Sequence, residues 1–299
     1  RATEHALIGE ASGTVPTPVP AFVRFGSWVG GDRDGNPFVT AEVTRRTLAL
    51  QAEHALSALQ VSVERVGRTL TADQADTPPS RALQEALARD AVAMPERFAE
   101  IRTGSPGEPH RQRMLVIAYR LQATRTGRAE HSYPGPDALI ADLRIVQDSL
   151  AQAGARRAAY GELQHVIWYA ETFGFHLAEL EVRQHSDAHK AALEDLLAQI
   201  PDAPADASQD AAFLDRLAAD GWPEHVSPRE ERTREVLDTL RVMSWLQERW
   251  GGRACGRYIV SFSHSAANLV AVRALARFAV GAAPLRLDVV PLFETGADL

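Results

Sequence analysis

A single cysteine in 299 residues, Cys255, leaves no partner for an intramolecular disulfide, which fits a reducing compartment. No run of about eighteen or more apolar residues is present, so no segment is predicted to cross a bilayer as a helix. No positively charged n-region followed by an apolar h-region opens the chain. Together these absences give the expectation of a cytoplasmic protein. An excess of positive charge is missing too. Lys+Arg 32 against Asp+Glu 39 leave a formal net charge of -7 at pH 7, with a pI near 5.8. That excludes a nucleic acid or an anionic membrane as the main partner and leaves room for a local basic pocket around a small anion. No internal repeat is visible.

What is present is an ordinary globular composition, 45% hydrophobic and 24% charged, in a chain long enough for one large domain or two small ones. It begins at Arg1 rather than Met and stops at Leu299, shortly after a strand-like run where an α/β unit would continue into a helix. The expectation is a piece of a longer protein.

Most of the sequence carries helical periodicity. Leu48, Leu56, Leu59, Val63 and Val66 make one apolar stripe across Ala41–Leu70. Similar stretches are Arg81–Ile101, His110–Thr126, Pro136–Ala153, Tyr160–Phe173, Ala188–Ile200 and Pro228–Trp250. Turn-forming residues crowd the breaks, and Pro201–Ser208, rich in Pro, Asp and Ala, is predicted to be an exposed loop. Four segments read as strands from their β-branched and aromatic content: Phe22–Trp28, Phe175–Val182, Arg257–Phe262 and Leu285–Phe293. Strands separated by helices imply parallel βα units, hence a helix-rich α/β fold, an open sheet or a barrel, with helical insertions over about 41–173 and 188–250.

Each predicted strand runs into a polar cluster at its C-terminal end. These are Gly30-Gly31-Asp32-Arg33-Asp34-Gly35-Asn36, Arg183-Gln184-His185-Ser186, Ser263-His264-Ser265 and Glu294-Thr295. In a (β/α) barrel the active site lies on the face formed by the strand C-termini, so these clusters are expected to converge.

Taken singly, each cluster also has a plainer reading. The glycines around Arg33 let the backbone approach a ligand and the guanidinium hold a phosphate, or they build a tight turn that Asp32 and Asp34 cap. A calcium loop is excluded: counting from Asp32, glycine arrives at the fourth position as Gly35 and the twelfth residue is Val43. Arg183 suits bidentate binding of a phosphate or carboxylate, or a structural ion pair with Glu179 or Glu181, and the two readings are evenly matched. His185 and His189 stand at helical metal-pair spacing, but Ser186 follows where HExxH requires glutamate, so a zinc site is not expected. Ser263-His264-Ser265 lacks a Gly-x-Ser-x-Gly elbow and is expected to be a polar strand-end loop. Glu294 leaves a hydrophobic strand as a fair Mg²⁺ or Mn²⁺ ligand, or as a first-turn acid of a following helix.

Read together, the blocks resemble the phosphoenolpyruvate carboxylase family. Phe25-Gly26-Ser27-Trp28-Val29-Gly30-Gly31-Asp32-Arg33-Asp34-Gly35-Asn36-Pro37 with Val39-Thr40 is similar to that family's most recognisable N-terminal block. Val182-Arg183-Gln184, Thr233–Thr239, Tyr258–Ser261 and Pro291-Leu292-Phe293-Glu294-Thr295 follow in the family's order. The resemblance implies a partial (β/α)₈ TIM-type barrel embedded in additional helices. It implies Arg183 on the substrate phosphate, the loop around Arg33 near the mouth and assigned to substrate binding, and Glu294 on a divalent metal, Mg²⁺ or Mn²⁺. Phosphoenolpyruvate and bicarbonate would be the substrates, oxaloacetate the product, and a homotetramer the assembly. His185 stands where the family usually has Glu, Glu181 where it has Asp, and Ala267-Asn268 where it has Ser-Asp. The family's Thr-Ala-His-Pro-Thr motif and its Gly-Arg-Gly-Gly-type loop are not in this sequence, so the chain by itself is expected to be inactive. A non-catalytic binding or scaffold relative is the competing reading.

Overall fold

The computed structural model describes residues 5–6, 9, 12–16, 19–293 and 296. The chain packs as two compact units, Arg1–Arg24 with Ala52–Leu177, and Phe25–Gln51 with Ala178–Leu299. The first is helical. The second holds all four strands.

The helical unit contains the C-terminal part of α1 (Ala41–Thr69), followed by α2 (Arg81–Ala93), α3 (Pro95–Gly104), α4 (Pro109–Arg125), α5 (Pro136–Gln152), α6 (Arg156–Tyr160) and α7 (Glu162–Phe173). The apolar stripe of α1 behaves as its spacing predicts, with Leu56, Leu59, Val63 and Val66 all buried. At the centre α4 packs against both α2 and α5, and Met114, Val116, Ile117 and Leu121 are fully enclosed. Two predicted helices are interrupted. Arg81–Ile101 breaks at Met94, whose backbone leaves the helical region (φ -142, ψ 65) because Pro95 follows it and opens α3. Tyr160–Phe173 breaks at Gly161, where a Cβ would lie 2.5 Å from the Arg157 carbonyl oxygen.

The second unit contains β1 (Gly26–Ser27), β2 (Glu179–His185), α8 (Ser186–Leu197), α9 (Ala211–Asp220), α10 (Glu231–Trp250), β3 (Arg257–Ser261), α11 (Ala266–Val280) and β4 (Asp288–Pro291), with the first turns of α1. The strands form one parallel sheet in the order β1-β2-β3-β4, each reached through helical crossovers, so the helix-rich α/β expectation holds. Two helices of this unit are absent from the predicted set. One is α9, capped by the Asp210 carboxylate on the amides of Ala212 and Phe213. The other is α11, opened by a capping box of Ser265 and Asn268. Between α8 and α9 the Pro201–Ser208 stretch is a series of turns, with Ala207 buried.

Strand bounds shift. Phe22–Trp28 contracts to two paired residues, and Phe22 is 76% exposed. Phe175–Val182 moves toward the C-terminus, to Glu179–His185. The reason is local: Gly174 (φ 53) and Leu177 (φ 65) turn the chain after α7, and Phe175 is a fully buried anchor of the helical unit rather than a strand residue.

Register sorts the side chains. Glu181 pairs with Arg257, Arg183 with Ile259, Arg257 with Asp288 and Ile259 with Val290, so these residues share one face. Leu180, Val182, Tyr258 and Val260 alternate onto the other face and are buried, beneath α8 and α11, which touch β2 and β4.

Candidate functional site

The glycine-rich loop docks on β2 as if it were a further strand. The Arg183 amide donates to the Gly31 carbonyl at 2.8 Å and the Arg33 amide to the Arg183 carbonyl at 2.9 Å, and Asp32 pairs with Arg183 in a parallel bridge. Two glycines permit this approach. A Cβ at Gly31 would lie 2.1 Å from the Glu181 carbonyl oxygen, and one at Gly30 (φ +80) would lie 2.2 Å from the Thr47 hydroxyl.

That register decides where consecutive residues point. Asp32, paired with Arg183, shares its face, and its carboxylate stands 3.7 Å from the Arg183 guanidinium. Arg33, next in the chain, turns to the helix-covered side and is 7% exposed. Its guanidinium donates to the Gly31 carbonyl at 3.0 Å and to the Thr44 hydroxyl at 2.5 Å, and Thr44 in turn donates to the Gly30 carbonyl. Burial lowers the Arg33 pKa, against the opposing fields of Tyr258 and Glu235. Arg33 is thus a pin under the loop. Asp32 completes an Asx turn by accepting from the Asp34 amide at 3.1 Å.

The open face of the sheet carries ion pairs in layers. Nearest the strand N-termini Glu179 meets Arg253 at 2.9 Å. Above it Glu181 meets Arg257. Uppermost, among the described residues Arg183 meets only Asp32, and its Nε has no hydrogen-bond partner. The structural pairing of Arg183 with Glu179 or Glu181, evenly matched with ligand binding in the sequence, is therefore not formed, because other arginines take both glutamates. Arg183 remains part-exposed, with a guanidinium able to accept an oxyanion in its fork.

Arg183, Gln184 and His185 lie inside β2 rather than after it, a correction that follows from the shift of the strand. The His185 ring stacks on Phe262 with centroids 4.5 Å apart, and its Nδ1 accepts from the Asp187 amide. His189 is elsewhere, buried in α8 and hydrogen-bonded to the Tyr258 hydroxyl at 2.8 Å. Burial, aided by the field of His185, pushes its pKa down to about 3, so it is neutral at ordinary pH. The two histidines have separate partners, His185 the Asp187 amide and Phe262, His189 the Tyr258 hydroxyl. Ser263 donates to the Val260 carbonyl and Ser265 caps α11, so the Ser-His-Ser cluster is the expected polar strand end. Glu294 and Thr295 lie outside the described residues. Among the described residues no group of three or more His, Cys, Asp or Glu side chains is placed to hold a metal ion. Nor is any helix among them long and apolar enough to cross a membrane.

Sequence reasoning singled out Asp32 as part of a loop but missed it as the partner of Arg183, and it missed Thr44 altogether. The first was findable only through the register. The second had a signal, a threonine one turn into the helix that follows the loop.

A family model described as phosphoenolpyruvate carboxylase matches residues 3–299. Relatives named phosphoenolpyruvate carboxylase include one from Xanthomonas euvesicatoria pv. vesicatoria, 36% identical over 99% of this chain and 33% of its own length. Others come from Synechocystis sp., 33% identical over 94% of this chain and 30% of the relative, and from Roseiflexus castenholzii, 34% identical over 94% and 32%. The chain spans about a third of the length of the curated relatives it matches.

Proposed function

The chain belongs to the phosphoenolpyruvate carboxylase family, and from that premise we propose that it supplies the substrate-phosphate subsite of an enzyme that carboxylates phosphoenolpyruvate with bicarbonate to oxaloacetate and phosphate. The observation that carries this reading is the state of Arg183. Among the described residues it is the uppermost cation on the open sheet face, its nearest carboxylate stands at 3.7 Å, and its Nε is unpaired. A guanidinium so placed suits a dianionic phosphate.

In the proposed reaction a bicarbonate oxygen bonds to phosphorus as the bond from phosphorus to the enolate oxygen breaks. Carboxyphosphate then splits into CO₂ and phosphate, which carries away the bicarbonate proton, and the enolate carbon bonds CO₂. Arg183 neutralises and orients the phosphate through both transfers. Arg33 serves substrate binding through the loop, holding Gly31 and Asp32 against β2 so that Asp32 aligns the Arg183 fork. Excluding water from the site would protect the enolate from protonation.

A divalent ion, Mg²⁺ or Mn²⁺, is proposed with Glu294 as one ligand, supplying Lewis-acid stabilisation of the enolate oxygen. Among the described residues no group of three or more His, Cys, Asp or Glu side chains is placed to hold it. The four-stranded parallel sheet is proposed to be part of a (β/α)₈ barrel, with the open face of β2 and β3 turned to its interior. A cytoplasmic homotetramer and an anaplerotic role complete the proposal.

The test is a coupled assay of oxaloacetate formation, with bicarbonate and Mg²⁺, on the protein at the full length its gene encodes. Wild type is expected to be active, Arg183→Ala to lose about a hundredfold or more in kcat/KM, and Glu294→Gln to lose activity with a changed metal requirement. Full activity in both variants refutes the site assignment. An inactive wild type favours the non-catalytic relative.

A further inference from the structure

At the other end of the sheet-bearing unit lies a cavity of about 310 Å³, between α9, α11 and the segment leading into β4. Ala218, Ala276, Val280 and Leu285 give it apolar walls, and Arg273 and Arg277 line it with two guanidiniums. The arginines stand four residues apart on α11, so both rise from one face of that helix. Neither is committed. The nearest carboxylate to Arg273 is Asp215 at 3.8 Å, with both side chains 62% exposed, a separation and exposure at which solvent leaves little attraction. The Arg277 guanidinium makes no hydrogen bond or ion pair with any described residue.

The plainer reading is that a basic residue in the last turn of α11 neutralises the carbonyl end of the helix. Those carbonyls have other partners. The Gly281 amide donates to the Arg277 carbonyl at 3.0 Å, the Ala283 amide to that of Val280 at 3.2 Å, and Arg241 Nε to that of Ala279 at 3.2 Å. One turn earlier, Trp222 Nε1 donates to the Ala274 carbonyl at 2.8 Å. The Arg277 fork is left for something else. Its surroundings are also fixed: Trp222 stands edge-on to Phe278, and Gly221 (φ +98) brings the chain past the Arg277 guanidinium, where a Cβ would come within 3.7 Å.

We infer that this cavity is a second anion site, for a small phosphate or carboxylate compound carrying a short apolar portion. Two forks from one helix face grip the oxyanion, the alanine, valine and leucine walls take the apolar part, and the volume matches a small-molecule pocket. The site lies at the C-terminal end of α11, whereas Ser265 caps the other end just after β3. Arg273 and Arg277 therefore stand roughly 10 and 16 Å along the axis from the helix end that follows β3. The inference does not depend on the catalytic reading.

The experiment is isothermal titration calorimetry on the full-length protein in an Arg183→Ala background, which removes the other candidate anion contact. The probes are inorganic phosphate and, separately, butyrate, at constant ionic strength. Saturable binding of at least one probe is expected. Arg273→Gln and Arg277→Gln should each weaken it about tenfold, Arg277→Lys should weaken it less by keeping the charge without the fork, and the exposed control Arg232→Gln should leave it unchanged. Phosphate binding alone would identify a phosphate site and butyrate binding alone a carboxylate site. No saturable binding of either probe overturns the inference, as does an equal loss in the Arg232→Gln control.

Discussion

The two units use charge in opposite ways. In the helical unit Arg113 is buried between two carboxylates, Asp90 and Asp142, each at 2.5 Å. Asp142 also accepts from Arg120 at 2.7 Å and from the Tyr133 hydroxyl at 2.8 Å, while the Arg120 guanidinium lies 3.9 Å from the Tyr133 ring centroid. Each carboxylate of this network meets a guanidinium at short range, and only the Arg113 Nε is left buried without a partner. On the open sheet face of the other unit Glu179 and Glu181 are tightly paired, and only the pair nearest the strand C-termini, Arg183 with Asp32 at 3.7 Å, is loose. A tight buried network holds helices in place. A loose pair at the end of a ladder leaves a cation ready to exchange its partner for a ligand.

That contrast is most open to attack through Arg113. Arg113→Met strands Asp90 in the interior and leaves Asp142 only Arg120 and the Tyr133 hydroxyl, and equilibrium denaturation is expected to show a loss of about 3–5 kcal/mol. A loss below about 1 kcal/mol would mean that the network is not what holds α2, α4 and α5 together.

The next effect is one of pH, and both units share it. His110, hydrogen-bonded to the Ser149 hydroxyl at 2.8 Å, is pushed down to about 4 by burial, and His189 to about 3. Both are neutral in the folded chain and regain an ordinary pKa near 6.5 on unfolding, so below that pH the unfolded state binds more protons. Their contribution to stability is complete above about pH 6.5 and drains away as the pH falls toward 4. His110→Gln should flatten the stability-against-pH curve in that window by about 1.4 kcal/mol per pH unit at most. An unchanged slope would show that His110 charges freely in the fold.

The smallest effect sharpens the comparison from the other side. Asp32→Asn removes the partner of Arg183 but should cost less than about 1 kcal/mol in thermal unfolding, because the pair is long and part-exposed. A cost near that of Arg113→Met would make Arg183 and Asp32 a structural pair after all.

The site was legible in the sequence only in part. Gly30 and Gly31 announced a backbone that packs closely through residue type alone, while Arg183 stood evenly between an anion contact and a structural ion pair. The direction of Arg33 did not show, because one step of strand alternation separates a mouth-facing side chain from a buried one, and nothing in Asp32-Arg33-Asp34 says which residue pairs with Arg183. Helices failed where a local break was outvoted by periodicity, as at Met94 before Pro95. Strand β2 was misplaced because Phe175, read as strand-forming, closes a helix instead.

By itself the sequence determined the class of fold, a parallel arrangement of strands linked by helices, and the ordered blocks that mark the family, since both reside in local pattern and residue identity. Only the tertiary structure decided which charges are spent and which are spare. Glu179 and Glu181 stand close to Arg183 in the chain, yet Arg253 and Arg257 claim them across the sheet face. Asp32, far away in sequence, reaches Arg183 because two glycines let one backbone lie against another.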